Sequence, residues 1–375
     1  MRKIIPAIAL CLLVTASCIA YIPFDEDAGG QAAVGGEIGV GYFYEYLSPY
    51  GNWVSLSPWG FVWCPAGVGF GWQPYSYGQW LWTDDGWFWD SSYEWGWAPF
   101  HYGRWGWDDG LGWFWVPGTT WGPAWVTWCW NDLYFGWAPL PPGAAFRTGV
   151  GIGSVPAVPA RNWCFVDGRN FLGPNLARWI LPIERNRTIL QDAQGTGNVG
   201  WSGTRLFNGG VSLDRVQGAT RASVSRYTLE NADRPGPVKV GPSSIRAYRS
   251  SVAREANARP KSFLERADAA ERVSEMRKGM DTLPSGNPGE DLRQRQSREM
   301  DLLEKSQQRD RAALDERRQA EAERAGSEGE RAKITQRYQQ RAQALQKQHE
   351  QERSQIQQRH QQERRTAQSG PKREA

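Results

Sequence analysis

The feature that most constrains this chain is a repeat of about 26 residues between positions 42 and 142, written largely in tryptophan. One half of each unit reads GFVWCP at 60–65, GWFWDS at 86–91 and GWFWVP at 112–117. Each is preceded by a matching half, YGNW at 50–53, YGQW at 77–80 and YGRW at 102–105. Aromatic side chains on alternate positions, punctuated by Asp and Gly, specify pairs of short strands. In the central unit Trp80, Trp82, Trp87 and Trp89 flank Asp84-Asp85-Gly86. A two-residue Asp85-Gly86 turn pairs Trp82 with Trp89 and places all four indoles on one face. In the third unit the longer turn Asp108-Asp109-Gly110-Leu111-Gly112 pairs Trp107 with Trp113 and brings Trp105 and Trp115 to that same face. A one-residue slip would send half the rings to the opposite side, so turn chemistry and side-chain pattern select the same parity.

A degenerate fourth unit carries Trp121, Trp125 and Trp128 and ends Gly136-Trp137-Ala138-Pro139. The expected fold class is mainly β: antiparallel hairpin repeats over 42–142, as a small barrel or a β-repeat array, with a second small β region and a long charged C-terminal helix. The second region, 150–255, holds short apolar segments such as Trp163–Val166 and Val238–Val240, separated by Gly, Pro and Asn. A linker with a short helix is expected over 256–289, and residues 290–368 are almost wholly Gln, Arg, Glu and Ala. In that tail Leu292, Leu303 and Leu314, then Ile334, Leu345 and Ile356, recur every 11 residues, with a phase shift near Gly326 and Gly329. Such a stripe runs nearly straight along a helix. It is thin for a coiled coil, so a solvated, partly frayed helix is the preferred reading, with a weak coiled coil or a disordered tail as the alternatives.

The N-terminus reads as an export signal over 1–20. Met1-Arg2-Lys3 leads into an apolar stretch from Ile4 to Ala16 that is short for a membrane span. Val14-Thr15-Ala16-Ser17-Cys18 fits a loose lipobox in which Cys18 is lipidated, and cleavage after Ala20 is the other option. Any membrane attachment is then through the lipid alone, and the mature chain is exported, to the periplasm or outer membrane. Of the remaining cysteines, Cys64 and Cys129 are candidates for a disulfide that leaves Cys164 free, and three small buried residues is the competing reading. Basic and acidic residues nearly balance, 44 against 40, which gives no footprint for nucleic acid. No cofactor or metal spacing stands out among the three histidines, His101, His349 and His360.

The run Trp95-Gly96-Trp97-Ala98-Pro99-Phe100-His101-Tyr102-Gly103-Arg104-Trp105, with Gly112-Trp113-Phe114-Trp115-Val116-Pro117-Gly118 and Gly136-Trp137-Ala138-Pro139-Leu140-Pro141-Pro142, resembles a family of uncharacterised exported bacterial proteins. The resemblance extends over about residues 42–255 and excludes the charged tail. Phe100 replaces the family's usual Tyr, and Cys64 and Cys129 stand where Tyr and a polar residue are expected. The resemblance implies export and a shared fold, and it carries no catalytic assignment.

Two readings of the tryptophans compete. A ligand-binding face of Trp80, Trp82, Trp87, Trp89, Trp105, Trp107, Trp113 and Trp115, with Arg104 beside it, would stack on sugar rings. Alternatively the rings are the core of a domain short of Leu and Ile, which is preferred because each ring buries a large apolar area. Asp84, Asp85, Asp108 and Asp109 sit at hairpin tips and read as turn residues before glycosidase carboxylates. His101 reads as a structural histidine. No nucleophile elbow or phosphate loop is visible. The expectation is a non-catalytic envelope protein that binds or scaffolds, its partner an envelope protein or a polysaccharide; a carbohydrate-binding module using exposed tryptophans is the alternative. The oligomeric state is left open by the sequence.

Overall fold

The structure is a computed structural model. It describes residues 38–368 except 67, 69–70, 148–150, 155–156, 195–198, 203–204 and 281–291. The export signal, Cys18 and the end of the expected linker lie outside the described residues.

Four hairpins follow the repeat. They are β1 (Gly51–Leu56) with β2 (Gly60–Pro65), β3 (Gly78–Thr83) with β4 (Gly86–Ser91), β5 (Arg104–Asp108) with β6 (Gly112–Val116), and β7 (Val126–Trp130) with β8 (Tyr134–Pro139). Each sets one tryptophan opposite another: Trp53 and Trp63, Trp80 and Trp89, Trp105 and Trp115, Trp128 and Trp137. In the third hairpin Trp107 faces Trp113, as the spacing predicts.

The second hairpin departs from its expected register. Trp82 pairs with Trp87, not Trp89, because the loop is Asp84-Asp85 and Thr83 pairs with Gly86. Gly86, the first residue after the loop, takes φ 86°, a left-handed conformation that favours glycine. Thr83 Oγ1 accepts from the Asp85 amide at 3.2 Å and donates to the Gly86 carbonyl at 2.8 Å, fixing the turn one position earlier. The slip is two residues, an even number, so all four indoles keep their common face.

The Tyr-Gly-x-Trp half-motif has a steric cause. A Cβ added at Gly51 would lie 2.6 Å from the Trp63 ring nitrogen, at Gly78 2.8 Å from the Trp89 ring, and at Gly103 2.8 Å from the Trp115 ring nitrogen. In each unit the glycine is the seat for the tryptophan of the opposing strand. Gly103 is also at φ 67°, with the Val116 carbonyl 2.1 Å from the added carbon. Gly103→Ala is therefore expected to cost more than the ~1–2 kcal/mol of left-handed backbone alone, because the added carbon also has no room. Gly60→Ala, at φ 77° with open space around it, should cost only the conformational term, about 1–2 kcal/mol. Urea unfolding of the two variants checks the order.

The hairpins do not close a barrel. β2 joins β6 through Trp63 and Trp115, which gives a five-stranded sheet in the order β13-β1-β2-β6-β5, where β13 is Leu264–Glu265. The fourth hairpin takes β9 (Cys164–Asp167) along β8. The second hairpin is flanked by β10 (Arg205–Asn208) beside β4 and β11 (Arg226–Asn231) beside β3, and β12 (Ser244–Ala247) extends the sheet from β11. Strands from 150–255 thus complete sheets begun within 42–142. The largest apolar core draws on both segments, from Phe43 and Leu47 on the helix α1 (Val40–Leu47) to Phe171, Leu206, Val216, Leu229 and Ile245.

The tail is not one helix. α2 (Leu292–Arg324) and α3 (Glu328–Gln368) run back along each other as a hairpin, turning at Ala325–Ser327 where the apolar stripe changes phase. α3 alone is ~60 Å long at 1.5 Å per residue.

Candidate functional site

The proposed tryptophan face is the core. Trp80, Trp87, Trp89, Trp105, Trp113 and Trp115 are buried, and only Trp82 and Trp107 are partly exposed. A ring packed on both sides offers no face to a sugar, so these eight residues do not form the stacking platform expected of a ligand site. Several of the indole N–H groups end on backbone carbonyls, as buried tryptophans require. Trp115 donates to Tyr102 at 2.7 Å, Trp137 to Tyr75 at 2.8 Å and Trp105 to Pro99 at 2.9 Å. Arg104 is buried too, its guanidinium 3.5 Å from the centre of the Trp125 ring.

The hairpin-tip carboxylates act as turn and docking groups. Asp108 Oδ1 accepts from the Gly110 and Leu111 amides at 2.8 and 3.0 Å, an Asx turn. Asp85 is buried between Arg205 at 3.1 Å and Arg249 at 3.3 Å. Burial pushes its carboxyl up, against the pull of the two arginines. That arrangement, which the spacing of residues does not reveal, ties the second hairpin's tip to the segment 205–249. His101 lies between Phe88 and Trp121, with ring centroids at 4.5 and 5.8 Å, and its Nδ1 donates to the Gly122 carbonyl at 3.0 Å. Burial pushes the imidazole down to about 4, so it is a neutral core residue.

Cys64 and Cys129 form no disulfide; both are free thiols, as is Cys164. Each follows a tryptophan and therefore faces away from it, toward three different apolar groups: Cys64 with Val62 and Phe114, Cys129 with Tyr134 and Phe165, Cys164 within the main core. Burial raises all three thiols, Cys64 to about 12. Since the thiolate is the nucleophile, none should react with iodoacetamide at pH 8 in the native chain, and all should after denaturation. Mass spectrometry of the alkylated chain reads this directly. Among the described residues no group of three or more His, Cys, Asp or Glu side chains is placed to hold a metal, and no helix is long and apolar enough to cross a membrane.

The densest polar arrangement lies where the helical hairpin meets the β body. Arg185, fully buried, donates Nη1 to Glu352 at 2.9 Å and Nη2 to Asp310. Burial alone would lower its basicity, but the two carboxylates outweigh this and fix the charge. Tyr134 Oη donates to Asp310 at 3.0 Å, and Thr188 Oγ1 donates to Glu352 at 2.6 Å. Arg359 reaches from α3 to Glu184 at 2.9 Å and Glu299 at 2.7 Å.

Within the hairpin the contacts recur in layers. Glu299 meets His360 at 2.7 Å, Asp310 meets His349 at 3.2 Å, and Glu321 accepts from Tyr338 at 2.6 Å. The acidic residues are 11 apart on α2, and their partners are 11 apart on α3, running the opposite way. Gln296 and Gln307, again 11 apart, donate to the His360 and His349 carbonyls at 3.3 and 3.1 Å. The spacing of the leucines and isoleucines carried this period; the histidines and carboxylates share it and were the stronger signal for an antiparallel pair.

No curated protein and no solved structure matches the chain. Residues 44–144, which contain the four hairpins β1 to β8, match a protein family described as a family of unknown function (DUF6600).

Proposed function

We propose that this chain is a non-catalytic binding and scaffolding protein of the bacterial cell envelope, in which the β body is a rigid platform and the α2–α3 hairpin is the partner-facing element. The observation that carries this reading is the Arg185 junction, which fixes a long helical hairpin to a core built from tryptophan. The hairpin's seam is made of Gln, His and carboxylate layers with few apolar residues, an interface that sets register more than it supplies cohesion. Its outer faces are largely exposed Gln, Arg and Glu, suited to a helical protein partner that meets both charges. Export rests on the N-terminal segment, with Cys18 as the lipid acceptor.

Cell fractionation with a photo-crosslinker at Gln339 or Gln343 tests both parts. The full chain should partition with envelope membranes, move to the soluble fraction on Cys18→Ala, and crosslink to one defined protein from the hairpin positions. A chain found in the cytoplasm, or hairpin positions that crosslink only within the chain, would overturn the reading.

A further inference from the structure

We infer that the outer face of α1 and the adjoining turn at Tyr93 and Glu94 form a binding strip for a neutral polysaccharide strand. This goes beyond the reading of the helical hairpin as the partner-facing element, and it uses none of the eight tryptophans of the expected ligand face. Tyr42 and Tyr46 are four residues apart on α1, and Tyr50 continues the spacing through the short helical turn Ser48–Tyr50, so three rings share one face. Ring centroids are 6.0 Å apart for Tyr42 and Tyr46, with planes 13° from parallel, and 5.9 Å apart for Tyr46 and Tyr50. Tyr42 is 36% exposed, and Tyr46 and Tyr50 are half-buried.

Glu94 ends this row and joins it to a second. Tyr50 Oη donates to Glu94 Oε2, and Tyr46 Oη to the Glu94 carbonyl, each at 3.4 Å. On the other side Tyr93 lies 5.1 Å from Tyr77, ring to ring, and both are half-buried. The strip has a rigid floor. Trp97, buried, meets Tyr46 edge-on at 5.3 Å, and Trp95, also buried, stacks on Tyr93 at 4.5 Å.

The chemistry of the strip matches a sugar polymer. Pyranose rings present apolar C–H faces and a rim of hydroxyl donors; a row of tyrosines offers ring faces, and its phenolic edges with one carboxylate offer acceptors. The rings are held by buried neighbours, so little ordering is lost on binding. A polyanion would meet Glu94 with no cation among these six residues.

The full chain should bind insoluble chitin or cellulose, both neutral, and should not bind heparin. Tyr42→Ala with Tyr46→Ala should weaken binding about tenfold or more, and Glu94→Gln should weaken it less. Trp179→Ala, an exposed tryptophan elsewhere on the surface, should leave it unchanged. If near-ultraviolet circular dichroism shows that the double variant has lost its packing, the singly substituted Tyr42→Ser, at the most exposed ring, decides in its place. Absence of binding to either neutral polymer, binding to heparin alone, or binding that survives the tyrosine changes would overturn the inference. Each of these results leaves the fractionation and crosslinking outcomes above untouched, so the two readings fail separately.

Discussion

Replacing Arg185 by methionine is expected to release the helical hairpin from the β body, at a cost of about 3–5 kcal/mol, the range for breaking a buried ion pair by removing one partner. The guanidinium is the only described cation bonded to both Asp310 and Glu352, so methionine leaves two largely buried carboxylates without the charge they share. Hydrogen exchange over 292–368 should rise while protection of the eight hairpin strands is retained. Pairing the change with Asp310→Asn and Glu352→Gln should recover much of the loss, because the penalty lies in uncompensated charge. Arg185→Lys should recover less, since an ammonium does not reproduce the two-pronged geometry.

Acid should loosen the same junction. Burial pushes the Asp310 and Glu299 carboxyls up, but hydrogen bonds from His349, Arg185 and Tyr134 to the first, and from His360 and Arg359 to the second, more than offset it and hold both below the ordinary range. A carboxyl that is more acidic folded than unfolded stabilises fully above its unfolded pKa, about 4 to 4.5, and loses that contribution as pH falls through the folded value. The hairpin should therefore undock on acidification before the core unfolds.

The second large effect is in the core. Trp137 is fully buried, meets Trp80, Trp89, Trp128 and Phe171, and donates its indole N–H to Tyr75. Trp137→Ala should cost about 3–5 kcal/mol in equilibrium unfolding, as large aromatic-to-alanine changes do in close-packed interiors. Trp179→Ala should stay within about 0.5 kcal/mol, because that ring is 39% exposed. Equal effects at the two positions would mean that Trp137 is not packed as described.

What the repeat made legible was local. Alternation and turn residues are properties of a few neighbouring positions, and they set the four hairpins and the shared face of Trp80, Trp82, Trp87 and Trp89. They survived even the misplaced turn, because Gly86 follows the loop instead of lying in it and the error was an even number of residues. The joining of hairpins was not legible. That β2 pairs with β6, or that Asn208 meets Gly86, depends on contacts across many residues of chain, which no short pattern encodes. The tryptophan stripe left a ligand face open beside the preferred reading as core for a related reason: a stripe on one side of a sheet is the same whether solvent or a second sheet covers it. The disulfide failed because Cys64 and Cys129, similar in local pattern, sit on the backs of different sheets. In the tail the 11-residue period was visible, but reading it only in Leu and Ile hid the Glu299 to His360 and Asp310 to His349 layers that fold it on itself.

The central claim is that the tryptophan repeat is interior and not a ligand surface, and iodide quenching of intrinsic fluorescence in the full chain tests it most directly. The expected result is blue-shifted emission with a small quenchable fraction, from rings such as Trp179, Trp82 and Trp107, which is unchanged by added oligosaccharide. Red-shifted emission that iodide quenches broadly, and that oligosaccharide protects, would contradict it.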